Sequence, residues 1–256
     1  MLQKPDELRA LIEGYLAELS LTPELGSLAD SMRYALAGGG KRIRPVLCLA
    51  TGDAVGADVE ALLPAAAAVE LVHTFSLVHD DLPALDDDAE RRGRPSTWAE
   101  HGEATAILAG DALLAEAVRL SLAYPSGAVA RELVTATIGM IGGQQLDLEG
   151  ARDLERVNRL KTGALFEASV MCGLHAAEVP PAEHPPWRAF AAELGALFQL
   201  VDDLLDGDGS VLDVGEDATR RLADAAAERA HAQLASIPGD TAVLAGIVSE
   251  LAARTA

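Results

Sequence analysis

Residues 58 to 81 read as one long helix that is apolar on most of its faces. A helix of that kind cannot lie on a surface; it belongs at the centre of a bundle of other helices. The rest of the chain supplies them. Leu8, Leu11, Ile12, Tyr15, Leu16 and Leu19 recur at helical spacing behind Pro5 and Asp6, which suit a helix start. Further helices are expected over 23–36, from Pro45 onward, and near 100–123, 127–148, 152–177, 187–205, 215–236 and 240–253. Gly38-Gly39-Gly40, the prolines at 180, 181, 185 and 186, and Pro238-Gly239 punctuate them. Alternating runs of Val, Ile, Thr and aromatic residues are almost absent. The expected fold class is all-α, a helical bundle formed as one domain over residues 1–256.

Charge narrows the function. Twenty basic against forty acidic residues leave a formal charge of −20. Such a surface repels nucleic acid and anionic membranes. No stretch of eighteen or more apolar residues runs without polar interruption, so no integral membrane segment is expected. The opening MLQKPDELRA is too polar for a signal peptide. Cys48 and Cys172 both lie in apolar runs and read as buried free thiols, which suits a cytoplasmic enzyme.

Two acidic clusters stand out. Residues His79-Asp80-Asp81-Leu82-Pro83-Ala84-Leu85-Asp86-Asp87-Asp88 follow the most apolar helix. Carboxylates crowded at a helix C-terminus repel one another and the helix dipole, and a cation relieves both. Val201-Asp202-Asp203-Leu204-Leu205-Asp206 repeats the chemistry on another helix. Asp202 and Asp206 are i and i+4 and share a face. Phe198, Leu200, Val201, Leu204 and Leu205 flank them, so the segment is partly buried, and buried carboxylates need partners. Mg²⁺ fits: a hard cation commonly held by carboxylates together with substrate phosphate. Lone, either cluster could be a solvated acidic loop; paired, they point to several Mg²⁺ ions around one diphosphate.

The scarce basic residues complete the site. Lys41, Arg42 and Arg44 follow the triple glycine, Arg91 and Arg92 follow the first acidic cluster, and Lys161 lies mid-helix beside Thr162 and Gly163. Guanidinium forks and lysine point charges both bind phosphate. The glycine run lacks the spacing and Ser/Thr of a nucleotide P-loop. No Ser-His-Asp set or zinc spacing competes, and His79, on an apolar helix, reads as structural.

With these motifs the sequence resembles the trans-isoprenyl diphosphate synthases, or polyprenyl synthetases, and within them bacterial farnesyl and geranylgeranyl diphosphate synthases. The motifs are Gly39-Gly40-Lys41-Arg42-Ile43-Arg44-Pro45, His79 to Asp88 with Arg91-Arg92-Gly93-Arg94-Pro95, and Gly102-Glu103 with Ala109 to Leu114. Gly142-Gly143-Gln144 with Asp147, Lys161-Thr162-Gly163, and Phe198 to Asp203 with Asp206 complete the set.

The resemblance implies an isoprenoid synthase-type bundle around a central cavity, a homodimer, and condensation of isopentenyl diphosphate with an allylic diphosphate. It places Asp80, Asp81 and Asp86 in the first metal-binding motif and Asp202, Asp203 and Asp206 in the second, holding three Mg²⁺ ions once diphosphate is bound. It assigns Lys41, Arg44, His73 and Arg92 to isopentenyl diphosphate, and Arg91 and Lys161 to the allylic diphosphate. Thr162 and Gln199 would turn their oxygens to the carbocation. An aromatic ring at Phe75, five residues before Asp80, would floor the cavity and favour a fifteen-carbon product, farnesyl diphosphate, over a twenty-carbon one. Class I cyclisation, allylic transfer to another acceptor, and a weakly active partner subunit are the alternatives. Relatives carry lysines soon after the second motif; here residues 207–217 read GDGSVLDVGED, with Arg220 and Arg221 the next bases.

Overall fold

The computed structural model describes residues 4–207 and 209–255. Helices α1 (Pro5–Ala17), α2 (Leu28–Leu36) and α3 (Ile43–Ala54) lead into α4 (Val59–Asp80). A short ribbon follows, β1 (Glu90–Arg91) antiparallel to β2 (Arg94–Pro95), with Arg91 opposite Arg94. Next come α5 (Thr97–His101), α6 (Glu103–Ser121), α7 (Ala128–Leu148), α8 (Leu154–Asn158) and α9 (Ala164–Ala176). The chain closes with α10 (His184–Asp206), α11 (Ser210–Val214), α12 (Glu216–Ser236) and α13 (Ala242–Ala252). The architecture is an all-α bundle, and the ribbon holds the only strands among the described residues.

Helix α4 occupies the middle, as its composition requires. Every residue from Ala65 to Val72 is buried, and α3, α6 and α9 enclose it. Each fully buried Leu or Val contributes about 1.5–3 kcal/mol. Length and apolar character alone would let α4 cross a bilayer, contrary to the reading from sequence. It lies inside the bundle instead, and it carries one polar stripe: Glu70, His73 and Asp80 fall at i, i+3 and i+10, on one face. Pro64 interrupts the α4 backbone ladder. The hydroxyl of Tyr124 mends the break: it accepts from Ala65 N at 3.1 Å and donates to Ala61 O at 2.8 Å.

Several boundaries differ from expectation, each for a local reason. The segment 23–36 splits into a 3₁₀ turn, Pro23–Leu25, and α2, because Gly26 takes a positive φ of 52°. The segment 100–123 splits at Gly102, whose φ is 86°. Helix α3 begins before Pro45, with Arg42 in the left-handed region at φ 50°. Helix α10 starts at His184 and takes Pro185 and Pro186 into its first turn, where proline is tolerated. Between α8 and α9 the helix widens to a π-turn over Arg159–Gly163, around Lys161.

Candidate active site

Several elements close around a cavity of about 480 Å³. The segment leading into α3 supplies Gly40 and Lys41, and α3 itself supplies Arg44. Helix α4 supplies His73, Ser76, Leu77 and Asp80 from its polar face. The ribbon turn supplies Arg92, the π-turn supplies Lys161 and Thr162, and α10 supplies Phe198 and Asp202. The two acidic motifs thus bring one carboxylate each, Asp80 and Asp202, to a space lined by lysine and arginine.

The electrostatics of this space follow from burial. Asp80 ends α4, and burial raises its carboxyl to about 6, against the pull of Lys161 and with help from Asp86. Burial pushes Arg44 down to about 10, although Glu70 and Asp202 oppose it. The Arg44 guanidinium lies 4.6 Å from the centre of the Phe166 ring and 5.7 Å from that of Phe198. His73 is held well below the usual imidazole range by burial and by Arg44, Arg92, Arg42 and Arg91, so it is neutral at pH 7. Lys41 is lowered by desolvation and by Arg254, with Asp202 acting against both.

Close packing positions two of the cations. Gly40, at φ 124°, lies against the Arg92 guanidinium, which donates to Gly39 O; a side chain at 40 would collide with it. Gly143 of α7 abuts the π-turn, and Asp147 one turn on holds Lys161 Nζ at 2.6 Å.

Other expected residues stand outside the cavity. Asp81 is buried and accepts from Arg91 Nε at 2.7 Å and 2.9 Å. Arg91 also faces Asp88 at 3.7 Å, so it is committed to carboxylates. Asp86 and Asp206 are exposed and line no part of it. Asp203 is buried and accepts from Gln199 Nε2 at 2.8 Å and from Ser210 N at 2.9 Å, tying down the turn after α10. Gln199 is therefore held by Asp203 rather than presented to the cavity. Phe75 packs edge-on to His79 with ring centres 5.5 Å apart and does not line the cavity. It sits about 140° around α4 from Asp80. His79 is structural, its Nε2 3.0 Å from Ile107 O.

The sequence reading missed four cavity residues, Leu77 of α4 among them. Met140 of α7 lines its apolar side, and Glu70 lies beneath it, paired with Arg42 at 2.5 Å. Arg254, in the turn after α13, reaches the cavity beside Lys41. It brings a cation that residues 207–217 lack; Arg220 instead pairs with Glu216 at 3.0 Å. Helical periodicity shows Met140 as an ordinary core residue, and no motif surrounds Arg254.

The donor set suits Mg²⁺, since Asp80 and Asp202 offer hard oxygen ligands beside cations able to hold phosphate. Among the described residues no three His, Cys, Asp or Glu side chains converge on one point.

Known proteins resemble the chain in sequence and in fold. The sequence profile of the family described as Polyprenyl synthetase matches residues 26–227. The chain is 44% identical to a geranylgeranyl diphosphate synthase of Cyanophora paradoxa over 69% of its own length and 64% of the relative's. It is 40% identical to the farnesyl diphosphate synthase of Bacillus subtilis (strain 168), over 74% of this chain and 70% of that one. Chloroplastic plant proteins matching at 38–41% identity carry the geranylgeranyl name as well. The crystal structure of a geranyltransferase from Legionella pneumophila superposes with a TM-score of 0.89 at 33% identity, covering 98% of this chain and 96% of that one.

Proposed function

The chain belongs to the polyprenyl synthetase family, and from that membership we propose that it is a short-chain trans-prenyltransferase joining isopentenyl diphosphate to an allylic diphosphate. The observation that carries the reading is the convergence of Lys41, Arg44, His73, Arg92, Lys161, Asp80 and Asp202 on one cavity. In this reading Lys41, Arg44 and Arg92 bind the isopentenyl diphosphate, and neutral His73 adds a hydrogen bond without a further charge. Lys161 binds the allylic diphosphate and is aimed by Asp147. Asp80 and Asp202 would hold Mg²⁺ at the cavity, flanked by Asp81, Asp86, Asp203 and Asp206 of the same motifs. When bound, Mg²⁺ supplies Lewis-acid charge to the departing diphosphate. Thr162 and Phe198 border the reacting carbons, and the surrounding apolar helices exclude water.

Similarity to synthases of both names shifts the product. The geranylgeranyl name recurs among the relatives, so a twenty-carbon product is favoured over the fifteen-carbon one expected from Phe75. A second copy of the chain is the assigned partner. Exposed Ile107, Leu108, Ile138 and Ile141 on α6 and α7 support it, an apolar surface suited to burial between subunits. Free, buried Cys48 and Cys172 support a cytoplasmic setting.

The experiment is incubation of the full chain with Mg²⁺, labelled isopentenyl diphosphate and each allylic diphosphate, then chain-length analysis of the dephosphorylated products. Elongated products lost in Asp80→Ala are expected. No elongation with any allylic diphosphate rejects the reading, and elongation that does not depend on the metal rejects the metal assignment.

A further inference from the structure

A second, smaller cleft of about 40 Å³ adjoins the main cavity, with Arg42, Glu70, His73 and Arg92 bordering both. The cleft also receives Asp81, Arg91, Arg94 and Ser96. Four guanidinium groups face two carboxylates there, a surplus of two positive charges (four less two) in a chain whose formal charge is −20. The pairing is specific. Glu70 takes Arg42 at 2.5 Å and Asp81 takes Arg91 at 2.5 Å. Arg92 and Arg94 have no ion-pair partner among the described residues; Arg94 stacks 3.6 Å from the centre of the Tyr34 ring.

Two residues that line the cleft each bury a polar atom without a hydrogen-bond partner: Ser96 Oγ and Arg42 Nε. Their residues are 2% and 9% exposed. A buried donor left unsatisfied costs about 1–3 kcal/mol, and two such donors on residues lining one cationic space favour an occupant that accepts hydrogen bonds. At about 40 Å³ against about 480 Å³, the space is far smaller than the main cavity.

We propose that this cleft is a second anion site, which takes a small tetrahedral dianion such as hydrogen phosphate between Arg92, Arg94, Arg42 Nε and Ser96 Oγ. Two unpaired guanidinium groups supply the charge, and the two unpartnered donors supply direction. Arg92 and His73 border both spaces, so an occupant here also draws on the cations of the main cavity. That coupling rests on the functional reading above; binding itself does not.

Inorganic phosphate is the probe. Its affinity for the full chain is measured by calorimetry and by the rise in Tm, with chloride at equal ionic strength as the blank. Phosphate should bind wild type, and Arg94→Gln and Ser96→Ala should each weaken it roughly tenfold or more, the loss expected for one charge-assisted hydrogen bond. Ser96→Ala removes an unpartnered hydroxyl, so without phosphate its Tm should not fall. Lys41→Ala, which alters only the main cavity, should retain the affinity within roughly twofold. Absence of phosphate binding in wild type overturns the proposal. So does binding lost in Lys41→Ala, or binding that survives both Arg94→Gln and Ser96→Ala, because phosphate would then sit elsewhere.

Discussion

A Cβ added to Gly143 would stand 2.5 Å from the amide nitrogen of Lys161 and 2.9 Å from its Cα. Backbone is met here, not the end of a flexible side chain, so neither helix can yield cheaply. Gly143→Ala should therefore cost about 1–3 kcal/mol by overpacking. It should also shift Lys161 away from Asp80 and lower turnover. Urea unfolding and steady-state rates check the two parts. A variant as stable and as active as wild type would show that the π-turn is not held by α7.

The carboxylates of the two acidic motifs should divide by role. Asp80 and Asp202 line the cavity, so Asp80→Ala and Asp202→Ala should lose turnover by roughly a hundredfold or more while the far-ultraviolet spectrum stays native. Asp203 instead holds Gln199 and the amide of Ser210. Asp203→Ala should lower stability by about 1–3 kcal/mol as well as activity, since two part-buried donors lose the acceptor that ties down the turn after α10. Equal Tm values for Asp202→Ala and Asp203→Ala would remove that distinction.

Burial gives Asp80 a pH signature. Its carboxyl titrates at about 6 in the folded chain against an ordinary 3.8. Between those values the folded state binds more protons than the unfolded state, so this group's contribution falls as pH rises through the window. Asp80→Asn cannot ionise and escapes the penalty. In EDTA at pH 7 it should be more stable than wild type by on the order of 1 kcal/mol, after discounting for solvent. The gain should vanish below pH 3.8. Denaturant midpoints across that range check it. Mg²⁺ affinity should weaken below about pH 6 for the same reason, because proton and metal compete for one carboxylate.

The bundle was legible because its strongest signal is local. Residues apolar on most faces between 58 and 81 read as a central helix, while the stripe of Glu70, His73 and Asp80 shows only in the structure. Lys41, Arg44, Arg92 and Lys161 were legible for a different reason: bases are rare in this chain, and motifs placed them. What sequence could not show was which acid of each pair faces the cavity. Asp80 and Asp81 are one residue apart, and only the loop that brings Arg91 back over Asp81 decides between them. Gly102 and Gly26 split two helices that periodicity alone joins, since a positive φ leaves no trace in hydrophobic spacing. Arg254 was hidden for a tertiary reason, because its approach to Lys41 depends on where α13 packs.

Product length should be set at Met140. Met140 lines the cavity between α4 and α7, whereas Phe75 is 7% exposed and lies one layer back, against His79. Ser76, Leu77 and Met140 line the same cavity as Asp80, and Phe75 does not. Met140→Ala should therefore move the product distribution toward longer chains. Phe75→Ala should leave the distribution unchanged and cost about 3–5 kcal/mol, the usual penalty for emptying a phenylalanine site in a core. Both variants are read by chain-length analysis of dephosphorylated products alongside thermal unfolding. Longer products from Phe75→Ala with none from Met140→Ala would place the floor behind Ser76, on the side of α4 that faces α6.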